Sequence, residues 1–199
     1  MSDETIARAL ESDAPLTAAV HQRDVARAVA EEHDWHAAAL VGRTVTINRP
    51  RAELYAFWRD FRNLALFMEN VESVTPGGGD RSHWVVKAPA GRTVEWDSVL
   101  TEEVENEALA WESAEGADIK NAGRIEFRDA PPGRGTEVTA TIVYEPPGGD
   151  LGKLIAKLFQ KEPKIQARRE LRRFKQLMET GEVSTSKAPD AAPRASRHF

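Results

Sequence analysis

The chain has 199 residues, a net charge of -5 and no cysteine. That length suits one domain with tails, enough to bury roughly two thirds of the surface its unfolded form exposes, while mixed charge and a pI near 5.6 exclude the basic face a nucleic-acid partner requires. Lack of cysteine excludes disulfides and thiolate zinc sites, no apolar run approaches the roughly 20 residues of a membrane helix, and the acidic start, MSDETIARALESD, is unlike a signal peptide, so a cytoplasmic protein is expected.

Residues 1–40 are Ala-rich and charged, with a weak helical pattern through Leu16, Ala19 and Val20, and read as an N-terminal extension, partly helical. The domain follows, over 41–182. RTVTINRP alternates as a strand through Val45 and Ile47, and Pro50 stands where the first turn of a helix tolerates it. In RAELYAFWRDF, Leu54, Phe57, Trp58 and Phe61 share one helical face. NLALFMEN predicts a second short helix.

From Val71 to Glu145 the pattern is a meander of antiparallel strands. Side-chain period two puts Trp84 with Val86, and Val94 with Trp96, Ser98 and Leu100, on single faces. A two-residue loop at Glu105 and Asn106 would set Leu100 opposite Trp111 and Ser98 opposite Ser113. Gly123, Ile125 and Phe127 likewise oppose Val138, Ala140, Ile142 and Tyr144 across the turn PPGRG. Residues 151–180 carry the longest helical stripe, through Leu154, Leu158, Leu171, Phe174 and Met178, closed by Gly181 and interrupted at Pro163, where a kink or a junction of two helices is expected. From Val183 the chain is small, polar and proline-containing, which predicts a disordered tail over 183–199.

Strand, two short helices, a run of antiparallel strands and one long helix make an α+β fold with the helices on one face of the sheet. With this order, the segments VTINRPRAELYAFWRDFRNLALFMENVESV, SHWVVKAPAGRTVEWDSVLTEEVENEALAWES, NAGRIEFRDAPPGRGTEVTATIVYEPPGGDLGKLIAKLF and LRRFKQLMETGEV resemble the START-like helix-grip superfamily (SRPBCC). Within it they are similar to the bacterial polyketide cyclase/dehydrase and lipid-transport proteins, including coenzyme Q-binding START-type domains. The resemblance covers Gly42 to Val183. It implies a curved antiparallel sheet of six to seven strands wrapped around the C-terminal helix, with a cavity between them for a lipid, quinone, polyketide or other hydrophobic molecule. It matches no catalytic signature to positions in this chain.

The candidate cavity residues are Trp84, Trp96 and Trp111, at inward parity on neighbouring strands, with Phe127, Tyr144, Leu158 and Phe174. The plain alternative for each is core packing, since tryptophan is mostly buried wherever it occurs. Glu95 and Asp97 form a carboxylate pair that alternation turns to the opposite, solvated face, together with His83, Arg124, Glu126 and Arg128. His33 and His36 lack a metalloprotease spacing and lie outside the regular domain with His21, so they suit a helix surface better than a metal. The glycine-bearing turns lack phosphate-loop or dinucleotide spacing; only EPPGGD, linking the last strand to the closing helix, suggests a hinge.

Three functions follow. Binding or transport of a hydrophobic small molecule, with no cofactor and no metal, fits the apolar, aromatic inner face. A polyketide cyclase/dehydratase-type enzyme using the same cavity is the alternative, and needs an inward acid, base or arginine where parity offers only Ser98, Ser113 and Tyr144. A protein-interaction role for the basic run RRELRRFK is weaker, because those arginines also suit the solvent side of an amphipathic helix. Ligand identity and oligomeric state stay open.

Overall fold

A computed structural model describes residues 39–145 and 163–184 of the chain. The alternating segments become seven strands: β1 (Ala39–Ile47), β2 (Val71–Pro76), β3 (Arg81–Ala88), β4 (Arg92–Val104), β5 (Ala108–Ser113), β6 (Lys120–Asp129) and β7 (Thr136–Glu145). They form one curled antiparallel sheet in the order β1-β7-β6-β5-β4-β3-β2. Strands β2 to β7 each pair with the next in sequence, as short turns dictate. Strand β1 closes the far edge against β7, with Val45 opposite Val138.

Because β1 and β2 are opposite edges, the chain between them must cross a whole face of the sheet. It does so as helix α1 (Arg51–Arg59), which opens after Pro50, and a 3-10 segment (Phe61–Leu66). That segment is the second short helix expected over NLALFMEN, formed as a 3-10 turn that starts two residues earlier, at Phe61. The Asp60 carboxylate accepts from the Arg62 amide, and the carbonyl of Leu64 accepts from the amide of Phe67, the i to i+3 pattern of a tight turn. Leu54 and Trp58 of α1 are buried, and the helix lies against β6.

Helix α2 (Pro163–Thr180) packs on β1. Pro163 is its first residue, where a missing amide hydrogen is no loss, so the break expected there is the start of a helix. Gly181 adopts φ 79° and donates its amide to the Leu177 carbonyl at 2.8 Å, the left-handed cap expected of it. Phe174 is fully buried at the joint of α1 and α2, 5.0 Å from both Trp58 and Phe67 and 5.7 Å from Phe57, centroid to centroid. No described helix is long and apolar enough to cross a membrane.

Two sequence boundaries shift. Strand β1 starts at Ala39, inside the stretch assigned to the extension, and Val183, assigned to the tail, packs on the core. The helical patterns expected at the N-terminus and over 151–162, and the hinge at EPPGGD after Glu145, lie outside the described residues.

Candidate aromatic binding site

The inner face of the sheet carries a shelf of three indoles. Register sets Trp84 opposite Trp96, and their rings stack at 5.9 Å and 11°. Trp111, opposite Leu100, stacks on Trp84 at 6.2 Å and 17°. Trp84 is thus shared by two near-parallel pairs, within the 4.5–7 Å range of favourable aromatic contact. Phe61 closes over them from the 3-10 segment, 6.0 Å from Trp84 and 5.8 Å from Trp111. Trp84 and Trp111 are buried, whereas Trp96 and Leu100 remain half-exposed although they face inward.

Gly123 makes room for this shelf. A Cβ there would stand 2.1 Å from Cζ2 and 2.4 Å from Cε2 of Trp111, so the indole lies directly across the glycine.

A polar row borders the indoles. Ser82 pairs with Ser98, and Ser98 with Ser113, on three adjacent strands. Ser82 accepts the Trp84 N–H at 2.9 Å and Ser98 that of Trp96 at 3.1 Å. The Ser113 hydroxyl donates to the carbonyl of Asn121 at 2.9 Å and accepts from its backbone amide at 2.6 Å, replacing the ladder at the end of β5. Asn121 follows in the row, opposite Tyr144 of β7. It is 8% exposed, and its Nδ2 has no hydrogen-bond partner.

Next to the shelf a cleft of about 380 Å³ opens between the 3-10 segment and the β2–β3 turn. Phe61, Val74, Ser82 and Leu100 line it from within, and Arg59, Asp60, Arg62, Asp80 and Arg81 from the charged rim. It shares Phe61 with the shelf and lies outside the sheet-to-α2 interface where a cavity was expected. The reason is that the described part of α2 sits over β1, at the other end of the sheet.

Glu103, an exposed charged group at inner parity, was missed. The expected register of Leu100 with Trp111 and Ser98 with Ser113 is observed, but by a different route. The β4–β5 loop holds one residue more than expected, with Val104 paired to Ala108 and Asn106 at φ 61°, and a bulge between Leu100 and Glu102 offsets it. Past the bulge Glu103 pairs with Leu109, which turns it to the inner face. There it accepts from Tyr55 Oη at 2.7 Å and Arg59 Nε at 2.6 Å. The Arg59 hydrogen bond holds the Glu103 carboxyl below the usual carboxylate range. Burial, then the bond to Glu103, pushes the Tyr55 phenol up to about 12. This trio ties α1 to β4 rather than presenting a free acid or base.

The other predicted residues separate. Phe127 is buried and meets Tyr55 edge-on at 6.0 Å, and Phe174 sits at the α1–α2 joint, so neither touches the indole shelf. Tyr144 is placed by register opposite Asn121, and Leu158 lies outside the described residues, as do His21, His33 and His36. On the outer face His83 lies between Asp97, at 2.8 Å, and Glu95, at 3.5 Å. No group of three metal-ligating side chains is assembled among the described residues.

The solvated reading fails for part of the outer face. Glu126 is 8% exposed and Arg124 is half-buried, with ion pairs from Arg124 to Glu102 and Glu126, and from Arg128 to Glu126. Thr44, Thr139 and Thr141 beside them are buried too. Alternation distinguishes one face from the other, but it does not reveal that part of the second is buried too. In the basic run of α2, Arg169 reaches Glu69 at 3.1 Å and Arg173 reaches it at 3.9 Å.

Solved structures with the same architecture include DR_A0006 of Deinococcus radiodurans, 38% identical over 72% of this chain and 99% of that one, TM-score 0.59. TTHA0849 of Thermus thermophilus is 27% identical over 69% and 95%, TM-score 0.56. The Zhui aromatase/cyclase of a Streptomyces species shares the fold at 14% identity over 74% and 99%, TM-score 0.53. An uncharacterized 17.2 kDa protein of Streptomyces lincolnensis is 28% identical over 87 residues, 44% of this chain, and the match spans 57% of that protein's length. The sequence profile described as polyketide cyclase / dehydrase and lipid transport matches residues 38–179, and the chain belongs to that family.

Proposed function

We propose that the chain binds a hydrophobic, at least partly planar small molecule of the lipid, quinone or polyketide kind, against the indole shelf and through the adjoining cleft. One observation carries this reading. Trp96 and Leu100 face inward yet remain half-exposed, beside stacked indoles whose N–H groups are already bonded to serines. An inward aromatic surface with satisfied polar groups and unfilled contact area is what an apolar ligand needs. In this reading Trp84, Trp96 and Trp111 form the contact surface, while Phe127 and Phe174 belong to the core away from it.

The cyclase/dehydratase reading has less support. Proton transfer needs an ionisable group within hydrogen-bond reach of the substrate. Among the described residues, the serines near the shelf are engaged with indoles or backbone, and Glu103 is held by Tyr55 and Arg59.

The test is titration of the full chain with menadione, following tryptophan fluorescence, alongside native mass spectrometry of protein purified from its own cells. Saturable quenching and a co-purifying lipophilic mass are expected. No saturable quenching and no bound mass would overturn the reading.

A further inference from the structure

We infer that the outer face of β1, β7 and β6 is a docking surface for the chain's own N-terminal segment, residues 1–38. The described helices pack on the inner side, α1 against β6 and α2 on β1, where Val45, Ile47, Leu54, Trp58, Leu171 and Phe174 share one core. The outer side of the same strands is buried nonetheless. Val143 is 1% exposed, Thr141 2%, Ala122 4% and Thr139 9%. On that face of β4, Glu95 and Asp97 are exposed, so the sheet does not hide its outer side chains unaided. Short side chains are buried this far only where another layer lies on them. The surface suits an apolar layer, because Thr44 and Thr139 bond each other's hydroxyls at 2.8 Å within the sheet.

Topology selects the occupant. Along β7 burial deepens from Thr139 to Val143, toward the end of the sheet where Ala39 pairs with Tyr144 and residue 38 joins β1. The C-terminal tail departs from the opposite end. There the Asn48 amide donates to the Glu179 carboxylate, and Arg49 Nε to the Met178 carbonyl, each at 2.7 Å. Residues 146–162 run from β7 to Pro163, so they must deliver the chain to a helix on the inner side. Strands lie about 4.8 Å apart, and crossing β1, β7 and β6 takes roughly 10 Å. A stretch of 38 residues is several times longer than that in any conformation. Ten of those residues are alanine, and short side chains against Ala122, Thr139 and Thr141 let two layers approach closely. Leu16 with Val20, and Val25 with Val29, add larger apolar groups at a spacing of four.

The chain has no cysteine, so introduced thiols report the cover in the full-length protein. Thr141→Cys should react with iodoacetamide at least about a hundredfold more slowly than Asp97→Cys, which lies on the exposed part of the same face. Replacing Leu16, Val20, Val25 and Val29 together by aspartate should raise the Thr141→Cys rate at least about tenfold. The Asp97→Cys rate and the near-UV circular dichroism of the indoles should not change. A second arm needs no aspartates. Thr141→Cys combined in turn with Leu16→Cys, Ala19→Cys or Val20→Cys should close a disulfide within one chain under mild oxidation, whereas Asp97→Cys with the same partners should not. Rapid labelling of Thr141→Cys in the wild-type background would overturn the inference, as would protection that survives the four aspartates with no preference in disulfide closure. Protection that appears only at concentrations where the protein sediments as a dimer would also overturn it, by assigning the face to a second copy.

Discussion

Gly123→Ala tests the shelf directly, because the glycine's only evident task is to leave space. The added methyl would sit 2.1 Å from Cζ2 and 2.4 Å from Cε2 of Trp111, where carbon atoms rest at about 3.5–4.0 Å. The indole must therefore move by more than about 1 Å. It is held between Trp84, stacked at 6.2 Å, and Phe61, at 5.8 Å. Overpacking of this kind costs about 1–3 kcal/mol, whereas alanine recovers only about 0.4–1 kcal/mol by restricting the unfolded chain. Strain wins, and the melting temperature should fall by about 3 to 8 °C for a domain of this size. Thermal unfolding followed by near-UV circular dichroism reads both the midpoint and the disturbed indole stacking. In a Trp111→Leu background the same substitution should cost at least about 1 kcal/mol less, since adjacent residues couple. A variant that melts within about 1 °C of wild type, or an equal loss in both backgrounds, would refute the packing of Trp111 on Gly123.

Trp84→Ala should cost about 3–5 kcal/mol, because the ring is buried and stacked on two others. Trp96→Ala should cost distinctly less in a urea melt yet weaken menadione binding more than any outer-face change does. Glu95→Gln with Asp97→Asn should leave menadione affinity within about twofold, because both carboxylates lie on the far face with His83. Tyr55 titrates at about 12 in the folded protein against about 10 unfolded. Its contribution, at most about 3 kcal/mol, is therefore fully present below pH 10 and lost as pH rises from 10 to 12, a loss that Tyr55→Phe should abolish in denaturant melts. Glu103 has the opposite sign. Its carboxyl is held low by Arg59, so its contribution is present above the unfolded carboxylate pKa and disappears as pH falls through the folded value; Glu103→Gln should flatten that acid limb.

Local pattern alone was enough to decide which residues of the meander share a face, which consecutive strands pair and where the first helix begins. Period-two alternation needs no tertiary context, so Trp84, Trp96 and Trp111 were legible as one inward set, and the turn PPGRG fixed the β6–β7 register. Asn121 stands two positions before Gly123 on the same face but was not singled out, because a lone asparagine carries no sign that its amide will be buried without a partner. Glu103 was not legible at all: its inward turn depends on a bulge and a longer loop that offset each other in the register, and only pairing with β5 fixes where an extra residue is absorbed. The coverage of Glu126, Thr139 and Thr141, and the seat of α2 over β1 instead of over the indoles, were likewise decided by the fold. Alternation is a property of one strand, whereas burial and unfilled space are properties of what the other elements bring against it.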